Sequence, residues 1–299
     1  MIRLLGTIFA GLLGLAFGSF LNVCLSRWPA GESIVHPRSH CRSCGRTLAW
    51  WENVPLVSWL LLRGRCRSCR AWIGSRYPLV ELAVGALWAT AAWQVLAGTT
   101  SPVPSDLLWA GAAYGLSQMI LLWLLVALSV LDFEHLWLPN KLTIPGTLIG
   151  FAATLVYAAV NSKRVFAFYG AFGLRSRFIW HLVGQRLLAI LAAAGLVLLI
   201  RWIYWLIRRR EGIGLGDAKL MAMLAAWLGL PGALLAFGLG VVLGAIAALV
   251  LLVLPSTRKS TEGWAHIKLP LGTFLCVGGI VSSLWGERMI DAYLRWAGL

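Results

Sequence analysis

Charged residues are scarce in this chain. Of 299 residues only 12% are charged and 11 are acidic, whereas 60% are hydrophobic. A soluble domain carries about twice that share of charge, so the composition excludes an ordinary soluble protein. Apolar stretches of membrane-spanning length recur along the chain, and they predict an all-α polytopic membrane protein.

The amino-terminal sequence also lacks the pattern of a cleavable leader. The first apolar run extends from Arg3 to about Cys24 and lacks an A-x-A-like cleavage site. Asn22 and Val23 are not the small residues expected before a lipoprotein cysteine. We therefore expect an uncleaved first span, and no internal repeat is evident.

The apolar stretches predict about eight transmembrane helices, each of roughly 17–25 residues. They lie near residues 4–25, 78–98, 107–131, 141–160, 183–207, 218–230, 232–254 and 270–290. The sixth stretch ends at Pro231-Gly232, which predicts a tight hairpin with the seventh.

The net charge of +15 is compatible with nucleic-acid binding, but membrane lipids and topology explain it better. We expect no nucleic-acid partner. Nine arginines lie between Arg27 and Arg76 and only Arg3 precedes them. The positive-inside rule therefore places residues 27–76 in the cytoplasm and the amino terminus outside.

The remaining loops test this topology. Loop 99–106 has no Lys or Arg and is predicted outside. The segments predicted inside are loop 132–140, Arg208, Arg209, Arg210, Arg258, Lys259 and Lys268. Loop 161–182 disagrees, because it carries four basic residues and parity places it outside. It could instead be an amphipathic helix on a membrane surface.

Four of the six cysteines form two C-x2-C hairpins, Cys41/Cys44 and Cys66/Cys69, separated by 21 residues. Paired hairpins of this kind favour a tetrahedral four-thiolate zinc site, and a full set of thiolates indicates a structural site. The reducing cytoplasm argues against disulfides. We therefore divide the chain into a first span (1–26), a cytoplasmic zinc-binding domain (27–77) and a membrane-embedded domain (78–299).

Two acids, Asp132 and Asp217, are predicted at helix ends on the cytoplasmic face. Either could cap its helix, and an ionisable group at a membrane edge could equally be functional. Gly214 and Gly216 precede Asp217 and would let another backbone approach it. Two neighbouring carboxyls cannot both ionise readily, so one can deprotonate water while the other donates its proton to a scissile carbonyl.

Several motifs together resemble those of bacterial type IV prepilin peptidases, which are G-x-G-D intramembrane aspartyl proteases. The quoted segments are GSFLNVCLSRWP (18–29), the tandem C-x2-C, RYPLVEL (76–82), LDFEHLWLPNKLTIP (131–145), GLGDAKLMAMLAAWLG (214–229) and KLPLGTFL (268–275). They occur in family order and cover most of the chain, which makes the set far more specific than any single motif.

The resemblance implies a leader peptidase and N-methyltransferase. Such enzymes cut type IV prepilins or type II secretion pseudopilins after a glycine at the cytoplasmic face of the inner membrane. They then methylate the new amino terminus with S-adenosyl-L-methionine. Asp132 and Asp217 would be the catalytic pair, and Cys41, Cys44, Cys66 and Cys69 would bind zinc. No nucleotide-binding fingerprint identifies residues for the methyl donor.

Two further side chains have open roles. Lys219 could keep Asp217 ionised, bind substrate or extend to lipid headgroups. Glu81 could complement the start of its own helix or meet a positive group of the substrate. With Gly214 and Gly216, they are the candidate substrate-binding residues.

Two other functions are compatible with parts of the sequence. A proton- or cation-coupled transporter could use Asp132 and Asp217, but it accounts neither for the cysteine hairpins nor for the motif order. A zinc-dependent lipid- or nucleic-acid-binding anchor would use the cysteines and leave the acids without a reaction.

Overall fold

The computed structural model describes residues 1–97, 105–169, 172–209, 214–253 and 269–298, and it is almost entirely helical there. The helices are α1 (Ile2–Arg27), α2 (Val57–Leu61), α3 (Arg76–Ala97), α4 (Ser105–His135), α5 (Asn140–Tyr169), α6 (Phe172–Arg208), α7 (Leu215–Val253) and α8 (Leu271–Trp296), with a 3₁₀ turn at Trp50–Asn53. The described residues contain no strand, only two isolated β-bridges in residues 40–72, which are called the cysteine segment below. The all-α prediction is confirmed.

Five helices within these ranges are long and apolar enough to cross a membrane. They are Ile2–Arg27, Arg76–Ala97, Gly111–His135, Trp180–Arg208 and Leu215–Leu251. Every stretch predicted as a span falls largely on a helix, with the sixth and seventh stretches sharing α7. The number of eight crossings remains a prediction.

Helix α7 is broken at Gly229, which has φ 73° and ψ 178°. Only glycine adopts such angles readily, and the break lies two residues before the predicted boundary at Pro231. Arg186 of α6 donates from Nη1 to the carbonyl of Ala225 at 3.4 Å. The guanidinium thus contacts a carbonyl near the end of the first half of α7, where helical carbonyls lose their partners. No sequence motif pointed to Arg186.

The segment 161–182 is helical where the structure describes it, which contradicts a loop and agrees with helix as the alternative reading. Helix α5 continues to Tyr169 and α6 begins at Phe172. The position of this segment on a membrane surface remains a prediction. No glycine or proline interrupts the sequence between Ala158 and Tyr169, so the helix continues after its apolar part ends. Basic residues end a hydrophobic stretch without ending a helix. Arg210, Arg258, Lys259, Lys268 and most of loop 99–106 lie outside the described residues.

The chain divides into two compact units, which are described separately. The first contains Met1–Gly111 and Gln118–Ala127. In it, α1 packs closely on α3 through small residues spaced by four. A Cβ at Gly14 would lie 2.9 Å from the Cα of Gly85, and one at Gly18 would lie 2.7 Å from the Cα of Glu81. Small residues of this kind let two membrane helices approach closely.

The second unit contains Ala112–Ser117 and Leu128–Leu299. Its central element is α7, which packs against α5, α6 and α8. The indole of Trp227 on α7 donates to the carbonyl of Gly146 at 2.8 Å. A Cβ at Gly150 would lie 2.7 Å from Cγ of the same indole. This close packing fixes α7, which carries Asp217, against α5.

Candidate functional site

Asp132 lies near the end of α4 and is 6% exposed. Its Oδ2 accepts the backbone N–H of Thr273 at 2.7 Å, and the Thr273 hydroxyl lies 3.2 Å from the same oxygen. The backbone of Gly272 also hydrogen-bonds this carboxyl group. The Thr273 hydroxyl lies 3.0 Å from the Ser129 carbonyl, so Thr273 connects α8 to the last turns of α4.

These contacts follow from how α8 begins. Its N-cap is Pro270, which provides no side-chain cap, so the first N–H groups of α8 need an acceptor from elsewhere. Asp132 supplies that acceptor, and the positive end of the helix favours its charged form. A Cβ at Gly272 would lie 2.9 Å from Cγ of Asp132, so this approach requires glycine.

Asp217 is the third residue of α7 and is 8% exposed. Its Oδ2 accepts the backbone N–H of Gly214 at 3.2 Å. This bond is the local cap that sequence analysis considered for Asp217. Asp217 therefore caps its own helix, whereas Asp132 caps a different one.

The structure brings the two aspartates close enough for their charges to interact. Leu138, which follows α4, lies against Gly216 and Gly272, the glycines beside the two aspartates. A Cβ at Gly216 would lie 3.0 Å from the Leu138 Cβ, and one at Gly272 would lie 2.9 Å from its Cδ1. The described residues include no ion pair between a cation and either aspartate. The arrangement is a buried pair of carboxyls that can share one proton and act on a water molecule.

The other candidate residues near Asp217 differ in whether they are open to a substrate. Gly214 is exposed, and a Cβ there would lie 3.5 Å from Oδ2 of Asp217. Gly216 is covered by Leu138, so it gives room to a side chain of this protein. Lys219 donates from Nζ to Oδ1 of Asn140 at 2.7 Å and so ties α7 to the start of α5.

The four predicted zinc ligands converge. The Sγ atoms of Cys41, Cys44, Cys66 and Cys69 all lie within 4.8 Å of one another. Those of Cys41 and Cys69 are 3.8 Å apart. A tetrahedral zinc ion with Zn–S bonds of about 2.3 Å needs sulfur atoms about 3.8 Å apart. The donor set and its spacing therefore fit zinc.

The two hairpins repeat one backbone pattern. In the first hairpin, the Cys41 N–H donates to the carbonyl oxygen of Arg46 at 2.9 Å, and the Gly45 N–H donates to the carbonyl oxygen of Cys41 at 2.8 Å. In the second hairpin, the Cys66 N–H donates to the carbonyl oxygen of Ala71 at 2.8 Å, and the Arg70 N–H donates to the carbonyl oxygen of Cys66 at 3.0 Å. Gly45 and Arg70 occupy matching positions with φ 71° and 56°. The sulfur-bearing turns are thus built alike.

The backbone of the turns also favours the thiolate form of Cys41 and Cys66. The backbone N–H of Cys44 lowers the pKa of Cys41 to about 6. The backbone N–H of Cys69 likewise lowers the pKa of Cys66. Although the Ala71 N–H favours its thiolate, burial and the neighbouring thiols raise the pKa of Cys69 to about 11. A dication at the centre would remove this mutual repulsion, because metal binding stabilises the deprotonated ligands.

The arginines around the cysteines are engaged in structure. Arg46 pairs with Glu52, whose Oε2 also accepts the Ala49 N–H at 2.8 Å. The Arg42 guanidinium donates to the Ser26 carbonyl at 2.8 Å, which links the hairpin to the end of α1. Arg67 lies over the ring of Trp51 at 5.0 Å. These contacts fix the small cysteine segment, which has little apolar core of its own.

Glu81 on α3 contacts the cysteine segment rather than its own helix start. Its Oε2 accepts the backbone N–H of Leu56 at 2.8 Å. The side chains of Ser19 and Asn22 on α1 also hydrogen-bond it. Asn22 is a residue that sequence analysis quoted within a motif without giving it a role.

Long apolar helices, a buried aspartate pair and a four-thiolate cluster define the class of protein: a multi-pass membrane protein with the groups of an aspartic peptidase and a zinc-type site. Comparison with known families agrees. Residues 12–95 match the bacterial Peptidase A24 N-terminal domain, and residues 119–249 match the type IV leader peptidase family.

Relatives with established names match over nearly the whole chain. A prepilin leader peptidase/N-methyltransferase of Pseudomonas aeruginosa is 33% identical over 96% of this chain and 93% of its own. One of Burkholderia pseudomallei is 36% identical over 93% of this chain and 85% of its own. One of Xanthomonas campestris is 32% identical over 99% and 96%. No solved structure matches the chain significantly.

The chain belongs to the type IV leader peptidase family, as the motif resemblance indicated. It is therefore an enzyme of the membrane peptidase class and a multi-pass protein of the inner membrane.

Proposed function

We propose that this protein removes the leader peptide of type IV prepilins or pseudopilins and methylates the amino terminus that the cleavage creates. The observation that carries the proposal is the buried Asp132–Asp217 pair, held at the first turns of α8 and α7. The named activity of relatives that align over nearly the whole chain supports both steps.

The two aspartates differ in their contacts, and this difference supports separate roles. Asp132 accepts the N–H of Thr273 at 2.7 Å in addition to the Gly272 backbone, which favours its ionised form. Asp217 accepts one N–H, at 3.2 Å, beside that charge. Asp132 takes a proton from water, the water attacks the scissile carbonyl, and Asp217 donates its proton to the carbonyl oxygen. Collapse of the diol then transfers a proton to the leaving amine.

The substrate approaches from the side left open at Gly214. That residue is exposed and lies next to Asp217, so an extended backbone can come close without meeting a side chain. Lys219 and Gly216 complete the approach, Lys219 by holding α5 against α7 and Gly216 by letting Leu138 pack below. Cleavage follows a glycine, as the motif resemblance implies.

Cys41, Cys44, Cys66 and Cys69 hold a structural zinc ion that replaces a hydrophobic core in residues 27–77. S-adenosyl-L-methionine supplies the methyl group. Residues 78–299 carry the peptidase, residues 1–26 form the first span, and the amino terminus faces outward. The active site then faces the cytoplasm, where the basic segment 27–76 lies.

A cleavage assay tests the proposal. Purified protein in detergent is mixed with a prepilin-like substrate and S-adenosyl-L-methionine, and the products are followed by intact mass. Wild type removes the leader and adds one methyl group. Asp132→Asn and Asp217→Asn lower the cleavage rate by about 100- to 10,000-fold, the usual contribution of acid–base groups.

Asp291→Asn is the matched control, because Asp291 is an exposed acid near the end of α8. It cleaves at the wild-type rate. Wild-type cleavage by either dyad variant contradicts the dyad. An inactive wild type across several prepilin-like substrates contradicts the proposed function and makes proton flux the next measurement.

A further inference from the structure

Glu81 is a buried acid that the peptide-cleaving pair does not use. It is 8% exposed, and the described part of the chain shows no ion pair between it and a cation. The other buried acid of this unit, Glu52, is paired with Arg46. A buried acid without a cation is costly to keep ionised, so the choice of an acid at this position calls for a reason beyond packing.

Asn22 lies in the same cluster and carries a buried acceptor that has no partner. It is 2% exposed, and its Nδ2 donates to the Tyr77 carbonyl at 2.9 Å. Its amide also contacts Glu81. Its Oδ1 is buried and has no hydrogen-bond partner. One buried acceptor is therefore left without a donor where α1 meets α3, which a self-sufficient buried network does not show.

The hydrogen bonds of Glu81 do not require an acid at this position. The Leu56 N–H at 2.8 Å and the side chains of Ser19 and Asn22 are neutral partners, which a neutral amide at position 81 could also satisfy. What remains is a carboxylate and an amide oxygen that both lack a cationic donor. A primary ammonium group, with three N–H donors and one positive charge, complements this set.

We propose that Glu81, with Asn22 and Ser19, binds the α-ammonium group of the cleaved product and takes its proton before methylation. This rests on the proposed function, because cleavage of a prepilin creates such an ammonium group. The site shares no residue with the aspartate pair, and it gives Glu81, Asn22 and Ser19, which lie in two of the motifs named above, a role in methyl transfer.

The step balances as a proton transfer followed by a substitution. The ammonium group passes one proton to the Glu81 carboxylate and becomes a neutral amine. Its lone pair then attacks the methyl carbon of a sulfonium donor, the C–S bond breaks, and the bonding pair stays on sulfur as a thioether. The product is a secondary ammonium, and Glu81 releases its proton to water.

The test separates methylation from cleavage by using a peptide whose amino terminus is already free. Full-length protein, with its zinc content measured, transfers radiolabelled methyl groups from S-adenosyl-L-methionine to this mature pilin peptide. Glu81→Gln retains an acceptor for Leu56 but cannot take the proton, and we expect its methyl-transfer rate to fall about 100-fold or more. Glu81→Asp keeps a carboxylate and recovers part of the rate.

Glu32→Gln is the control, since Glu32 is an exposed acid in the same unit and its variant methylates as wild type does. Donor affinity by equilibrium dialysis and zinc content stay unchanged in Glu81→Gln if the site holds the amine. Wild-type methylation by Glu81→Gln overturns the proposal. A loss of zinc from Glu81→Gln also overturns it, because Glu81 would then only hold the cysteine segment in place. A loss of donor affinity overturns it as well, because Glu81 would then act on the methyl donor. Loss of cleavage by the wild-type protein on an intact prepilin counts against the proposed function instead.

Discussion

The Asp132 carboxylate accepts the backbone N–H of Thr273 at 2.7 Å, although the two residues are 141 positions apart in sequence. The bond attaches the end of α4 to the first turn of α8. It gives one carboxylate of the pair a fixed oxygen, Oδ2. The geometry of the pair therefore depends on α8, which carries neither aspartate.

The Thr273 hydroxyl is the first group to test. Thr273→Val keeps the shape and the backbone N–H but removes the hydroxyl that contacts Asp132 and Ser129. A hydrogen bond contributes about 1 kcal/mol, so kcat for cleavage should fall about 5-fold. Thr273→Ser restores the hydroxyl and most of the rate. Equal rates for the Val and Ser variants would show that the hydroxyl does not hold Asp132.

Gly272 should not tolerate even one methyl group. A Cβ there would lie 2.9 Å from Cγ of Asp132 and 2.9 Å from Cδ1 of Leu138. Gly272→Ala should therefore displace the carboxylate and abolish cleavage while the protein still inserts. Gly195→Ala on α6 is the control, because a Cβ there meets nothing within 4 Å. A fully active Gly272→Ala protein would mean that Asp132 is not fixed by this turn during the reaction.

Zinc content should follow the four converging cysteines. Elemental analysis of the purified protein should find about one zinc ion per chain. Cys66→Ser should lose most of it, because one ligand of the tetrahedral set is gone. Cys24→Ala removes a buried thiol on α1 that is outside the cluster, and it should keep the zinc. Full zinc content in Cys66→Ser would exclude the four-thiolate site.

The contact between α5 and α7 should be sensitive to volume. Gly150→Ala places a Cβ 2.7 Å from Cγ of Trp227, and overpacking of this kind costs about 1–3 kcal/mol. We expect a lower midpoint of thermal unfolding in detergent. Gly238→Ala on α7 meets nothing within 4 Å and should not lower it. An unchanged midpoint for Gly150→Ala would show that Trp227 moves aside at no cost.

Sequence patterns predicted the elements with local signals. Apolar stretches of bilayer length predicted the helices, and the C-x2-C spacing predicted the cluster that the four Sγ atoms form. Hydropathy left residues 161–182 open between a loop and an amphipathic helix, because it reports where apolar character ends and α5 continues beyond that point. No glycine or proline stands between Gly150 and Gly170, so nothing in the sequence stops α5 where its apolar part ends.

Sequence patterns could not predict contacts between residues that are distant along the chain. The quoted segment KLPLGTFL contains Gly272 and Thr273, yet nothing local shows that they face Asp132. Glu81 was weighed as a cap for its own helix, but its partner is the backbone of Leu56, 25 residues earlier. Partnerships of this kind depend on how the helices pack, and helix packing is a property of the whole chain.

The attachment of Asp132 to Thr273 also sets an order of events during biosynthesis. The chain is made from its amino terminus, so α4 and α7 enter the membrane while the donors for Asp132 are still inside the ribosome. A nascent chain that already has both aspartates therefore lacks the turn that fixes one of them. On the proposed mechanism, proteolytic competence therefore arrives only once α8 has formed.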